Sequence, residues 1–138
     1  MTIRRQANEA KKPDSRQSIG KFGEEEAARY LIEQGYQVLA RNWRCRSGEL
    51  DIVAQSEGTL VVIEVRTRRQ GGRFGTAAES VDFRKQHQVR ATAEVYLSLQ
   101  KLHGQPVRFD VIAITAVLTP SEPLPFQITE LKHIEAAF

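Results

Sequence analysis

The stretch G48-E-L-D-I-V-A-Q-S-E-G-T-L-V-V-I-E-V-R66 decides the fold. Leu50–Gln55 reads as one strand, and Leu60–Val65 as a second that is apolar without interruption until its glutamate. Between them, Glu57-Gly58 forms a two-residue hairpin loop within S56-E-G-T59. With Ser56 opposite Thr59, Gln55 faces Leu60 and Asp51 faces Glu64. Directly opposed residues hold their Cβ atoms about 4.5–5.5 Å apart, so both carboxylates can share one cation. Alternation places Leu60, Val62, Glu64 and Arg66 on one face and Val61, Ile63 and Val65 on the other. A strand apolar on both sides requires cover on both sheet faces, as in an α/β layered fold.

Two carboxylates withdrawn from water raise each other's pKa unless opposite charge compensates. Arg66 supplies some of that charge, and a hard divalent cation with oxygen ligands suits the pair better. The competing reading makes Glu64 the strand's solvent end, paired with Arg66 or Arg68.

A third acid comes from a helix over Ile19–Gln34 that Gly35 closes at its C-terminal cap. Glu24, Ala27, Ala28 and Leu31 follow the spacing of a core-facing stripe, whereas Glu25, Glu26, Arg29 and Glu33 take the flanks and outer side. First-turn acids complement a helix dipole, which accounts for Glu25 and Glu26 but not for an acid in line with the apolar stripe. Gly20 and Gly23 let this turn approach other backbone closely.

The 138 residues make one domain, 19–138, preceded by a polar, basic, mobile arm over 1–18. Lys and Arg total 20 against 17 acids, and their distribution says more than the sum. Arg41, Arg44 and Arg46 lie in R41-N-W-R-C-R46, while Arg66, Arg68, Arg69 and Arg73 lie in R66-T-R-R-Q-G-G-R73, both without an acid. Read as positive loops around an acidic centre, they suit a polyanionic substrate such as nucleic acid. A single cysteine, Cys45, excludes an internal disulfide and a multi-cysteine zinc site. With no signal-peptide core and no membrane-spanning run, a cytoplasmic location without membrane association is expected.

The remaining elements are a first strand over Gln37–Asn42, a second helix over Ser80–Leu99, a strand over Val107–Ile114, a short edge strand over Phe126–Thr129, and a terminal helix or turn over Glu130–Phe138. Val81, Lys85, Val89, Thr92, Tyr96 and Leu99 share one face of the second helix. Lys85 interrupts that face; it snorkels to solvent or reaches the substrate, with snorkelling preferred. Asp110 is read as an edge residue or an arginine partner, and His87, His103 and His133 as surface or boundary residues. Trp43 and Phe74 either anchor the basic segments or stack on bases. Glu49, on the face of Asp51, is expected to pair with Arg66.

G20-K-F-G-E-E-E-A-A-R-Y-L31, G48-E-L-D-I-V-A54, I63-E-V-R-T-R68, Lys85, R108-F-D-V-I112 and H133-I-E-A-A-F138 together resemble the YraN-like family of small bacterial proteins. That family is related to the PD-(D/E)XK nuclease superfamily and to archaeal Holliday junction resolvases. The resemblance, covering Ile19–Phe138, implies a restriction-endonuclease-like three-layer core with a central mixed sheet flanked by helices. It assigns the helix acid to Glu24, the strand acid to Asp51 and the acid of the E-x-K element to Glu64. This chain departs in having Arg66 where the family usually has lysine. Arginine holds positive charge near phosphate but is a poor general base.

The implied chemistry is Mg²⁺- or Mn²⁺-assisted hydrolysis of DNA, with RNA also open. Asp51 and Glu64 would ligate the ion, with the Val65 carbonyl, and Glu24 would ligate directly or through water. Arg66 would stabilise charge on phosphate, Lys85 is an auxiliary candidate, and Arg41, Arg44, Arg46, Arg68, Arg69 and Arg73 would position the nucleic-acid backbone. Two alternatives stand: a noncatalytic nucleic-acid-binding module with a degenerate site, and a protein-interaction domain. A homodimer would suit a two-strand substrate, although no sequence feature marks a two-fold interface.

Overall fold

The computed structural model describes residues 15–70, 81–119 and 126–138, with side chains from residue 19. In chain order the elements are α1 (Ser15–Glu33), β1 (Gln37–Cys45), β2 (Gly48–Ser56), β3 (Thr59–Arg69), α2 (Phe83–Gln100), β4 (Val107–Leu118) and β5 (Phe126–Ile134). The strands form one five-stranded sheet in sequence order. All neighbours are antiparallel except β3 and β4, which run parallel. Parallel neighbours need a crossover, and α2 lies on that connection.

Each helix covers one face. Ala27, Ala28 and Leu31 of α1 pack on Ile52, Ala54, Val61, Ile63, Ile112 and Ile114. Val89, Ala93, Tyr96 and Leu97 of α2 pack on Leu50, Val53, Leu60, Val62 and Phe109. Leu60–Ile63 is unbroken apolar sequence because alternate residues enter two different cores. This is the restriction-endonuclease-like three-layer arrangement, helix on mixed sheet on helix.

Local chemistry sets the element ends. Glu57 and Gly58 both take positive φ, 50° and 80°, as a type I′ hairpin turn requires. The β2–β3 ladder then runs in the expected register from Ser56↔Thr59 to Ile52↔Ile63. At the end of α1, Gly35 adopts φ 94° and the N–H groups of Gly35 and Tyr36 donate to Ile32 and Leu31 O at 3.0 and 2.9 Å, a Schellman closure. Asp82 caps α2 by accepting from the Lys85 N–H at 2.9 Å.

Several boundaries differ from the sequence reading. Strand β1 continues past Asn42 to Cys45: Asn42 takes φ 51°, yet the β1–β2 register is the same on both sides of it. The basic residues therefore lie mostly on strands: Arg41 and Arg44 on edge strand β1, Arg66, Arg68 and Arg69 on β3, and only Arg46 in a turn. Of the terminal helix or turn expected over Glu130–Phe138, Glu130–Ile134 is instead the second half of β5, whose pairing with β4 extends to Val111↔Ile134, and the turn is at Glu135–Ala136. Helix α2 starts at Phe83 and buries Leu97, while Leu99 is exposed. Ser15–Ser18, placed at the end of the arm, belong to α1. The rest of the arm, residues 1–14, together with Arg73 and Phe74, lies outside the described residues. Trp43 anchors β1 edge-on against Tyr96, with ring centroids 5.2 Å apart.

At Gly23 the backbone of α1 comes especially close to β3. A Cβ on Gly23 would overlap Thr67 Oγ1 and crowd Thr67 Cβ and Cγ2. Glycine to alanine in a helix ordinarily stabilises, but Gly23→Ala is expected to cost about 1–3 kcal/mol through overpacking, with partial recovery in Gly23→Ala/Thr67→Ala. Urea unfolding of the single and double variants measures both.

Candidate functional site

The two hairpin arms part company where the acids begin. The recorded β2–β3 pairing ends at Ile52↔Ile63. Beyond it, Leu50, Glu49 and Gly48 pair with β1, while Glu64 to Arg69 pair with β4. Asp51 and Glu64 are thus the first residues past the fork. There Asp51 takes over from the ladder, its Oδ2 accepting the Val65 N–H at 2.9 Å. This contact pins the aspartate against the backbone following Glu64.

Glu64 is 2% exposed, and its partners are few. Lys85 Nζ stands 3.6 Å from Oε1, and Oε2 is buried without a hydrogen-bond partner. Burial, then the negative charge of Asp51, push the Glu64 pKa up to about 7 against the pull of Lys85 and Arg66. Asp51 is also raised, mainly by burial, with the Val65 N–H and Lys85 opposing and Glu49 adding to the rise. Glu24 is half-buried on α1, and its pKa is raised by burial and then by Asp51 and Glu49, with Arg41 and a hydrogen bond to Asn42 opposing. Glu24 therefore feels the field of the hairpin acids. Among the described residues, however, no three His, Cys, Asp or Glu side chains converge as a group able to hold an ion.

The basic members sort differently from expectation. Lys85 reaches inward to Glu64 instead of snorkelling, because the capped first turn of α2 sits over the fork. Arg66 lies beside the acids with a buried Nε that has no hydrogen-bond partner. Glu49 pairs with Arg44 at 3.5 Å, not with Arg66: β2 follows β1 once the arms diverge. Gly48, at the far end of β2, packs closely on α2: a Cβ there would stand 3.0 Å from both Gln88 Nε2 and Thr92 Oγ1.

A second buried acid provides an internal comparison. Asp110 is fully buried, accepts from Arg108 Nε and Nη2 at 2.9 Å and from the Ala136 N–H at 3.0 Å, and lies 2.7 Å from His133 Nε2. Burial opposes its charge, yet the bonds from His133, Arg108 and Ala136 outweigh it and hold the pKa below the ordinary carboxylate range. The arginine-partner reading of Asp110 stands. His133 is more buried than expected, 7% exposed in its side chain, with Nδ1 3.1 Å from the Tyr30 hydroxyl. The two-residue spacing of Arg108 and Asp110, which puts both on one strand face, was the legible signal; the approach of His133 from β5 left none. Asp110 is saturated, whereas Glu64 is left wanting a cation or a proton. The orphaned Oε2, in the field of a second carboxylate, offers the hard oxygen chemistry that suits a divalent cation.

Fold and site define a small three-layer α/β protein with a largely buried acid pair where its central hairpin ceases to pair. A sequence profile for the "Uncharacterised protein family UPF0102" matches residues 23–114. A "UPF0102 protein" of Nocardia farcinica is 42% identical over 124 residues, 89% of this chain and 91% of its own length. Another from Roseiflexus castenholzii is 44% identical over 120 residues (83% and 96%), and one from Acidothermus cellulolyticus is 50% identical over 110 residues (72% and 83%). The chain belongs to the UPF0102 family, in keeping with the YraN-like resemblance carried by the motifs. Among the described residues, no helix is long and apolar enough to cross a membrane.

The raised pKa of Glu64 has a stability consequence. The unfolded glutamate ionises near its ordinary value of 4.5, while the folded one keeps its proton to about 7. The folded state binds more protons in that window, so stability is lost as pH rises from about 4.5 to 7 and levels off above. Glu64→Gln cannot incur this loss and is expected to gain on the order of 1–3 kcal/mol over wild type at pH 8 relative to pH 4.5. Chemical denaturation at a series of pH values reads the difference.

Proposed function

We propose that this protein hydrolyses phosphodiester bonds of DNA with a divalent cation, Mg²⁺ or Mn²⁺, held at the fork. The observation carrying this reading is the buried Glu64 Oε2, without a hydrogen-bond partner and in the field of Asp51, on an acid that burial above all makes costly to ionise. A bound divalent cation would supply the charge to polarise phosphate and to acidify water. Asp51 and Glu64 would hold it, with the Val65 carbonyl, while Glu24, half-buried and within the field of Asp51, would orient water at its edge. Arg66 would face the phosphate oxygens and stabilise their developing charge. Arg41, Arg44, Arg46, Arg68 and Arg69, with Arg73, would position the backbone without reading bases. In the reaction a water oxygen bonds to phosphorus, one P–O ester bond breaks, and the departing strand-end oxygen takes up a proton. The resemblance to resolvases adds branched or processed DNA as the substrate form, and a cytoplasmic location follows from the same reading.

One specific feature favours a second reading. Arginine at the E-x-K position, with no preassembled three-ligand group among the described residues, also fits a noncatalytic nucleic-acid-binding module. Such a module binds nucleic acid in a salt-sensitive way and cuts nothing.

Purified protein incubated in Mn²⁺ with flap, junction, single-stranded and duplex DNA, and with RNA, separates the two. Scission is expected in wild type, with a fall of at least about a hundredfold in Asp51→Asn and in Glu64→Gln while circular dichroism stays native. Binding without scission across the panel would transfer the assignment to the noncatalytic module, and absence of both to a protein-interaction domain.

A further inference from the structure

Lys85 is the one residue around the acid pair whose role the reading above leaves open. It projects from the first turn of α2, with a side chain 32% exposed and Nζ 3.6 Å from Glu64 Oε1. That distance makes an ion pair rather than a close hydrogen bond. The ion pair built for permanence in this chain looks different: Arg108 grips Asp110 with two nitrogens at 2.9 Å. Lys85 offers one point charge on a long, flexible stem, engages only one oxygen of Glu64 and leaves the other unpartnered. Arg66 is anchored in a strand with its Nε buried, so it is less able to change partners.

Resting on the reading of Asp51 and Glu64 as a cation site, we propose that Lys85 is its exchangeable counter-cation and a substrate-positioning residue. The ammonium neutralises Glu64 until a divalent ion takes that carboxylate. Displaced, it stays tethered at the cleft as a monovalent cation for the incoming phosphate. The exchange couples ion binding to polyanion binding. It charges the ion a competition cost and delivers the released lysine where negative charge arrives next. No covalent bond changes in the exchange.

The test uses full-length wild type, Lys85→Met, which keeps the apolar stem, and Lys85→Arg, which keeps the charge. Native melting curves establish that each is folded. Calorimetric Mn²⁺ titration is expected to show about tenfold tighter binding in Lys85→Met, and Lys85→Arg within a factor of about two of wild type. In Ca²⁺, fluorescence anisotropy of a labelled DNA strand is expected to show an ion-dependent gain in affinity that Lys85→Met largely loses and Lys85→Arg retains. A lysine that only covers the cleft or braces the fold would move the melting temperature and neither of these readouts. Unchanged Mn²⁺ affinity in Lys85→Met, or a fully retained Ca²⁺ gain, overturns the proposal. Wild type that shows the expected ion and DNA coupling but cuts no nucleic acid removes the hydrolytic reading and supports this one. Wild type that binds no divalent ion overturns both.

Discussion

An ionisable carboxylate buried at the end of an apolar strand is expensive to keep charged, and the arrangement around Glu64 follows from that cost. Effective penalties for an unpaired buried ion run to several kcal/mol. Glu64 meets this with a single lysine contact, a neighbouring arginine and a proton retained up to about pH 7, while Asp51 works against it. The two cores on either side of the sheet absorb such a burden because Leu60–Ile63 and their neighbours are fully buried. Asp110 shows that the fold can satisfy a buried acid completely when the role is structural. The incomplete solution at Glu64 is therefore a property of that site and not of the scaffold.

The fork explains how elements from opposite layers address one place. Helices α1 and α2 lie on opposite faces, and a continuously paired sheet would separate their side chains. Past Ile52 and Ile63 the β2–β3 ladder stops, while β2 keeps its pairing with β1 and β3 its pairing with β4. Glu24 from one layer and Lys85 from the other then both act on Asp51. Beyond the last ladder pair the Asp51–Val65 contact still ties β2 to β3, and Gly48 packs β2 closely against Gln88 and Thr92 of α2.

The differences between sequence and structure share a cause. Glu57-Gly58, the alternation in β3 and the Gly35 cap are encoded within a few residues, and they appear where they were read. Strand β1 outran its expected end because its pairing with β2 runs on through the left-handed Asn42, and β5 outran its own because its pairing with β4 runs on to Val111↔Ile134. Glu49 found Arg44 rather than Arg66, and Lys85 turned inward, because the strands separate at a place no local pattern marks.

By itself the sequence determined the layered fold, the hairpin register and which acids lie at the hairpin's open end, since side-chain periodicity and turn preferences act over short range. Tertiary structure alone decided how many of those acids meet, which cation stands beside them and which oxygen is left without a partner. Those outcomes depend on where two strands part and which helix turn lies over the gap, and both are set by packing between segments far apart in the chain.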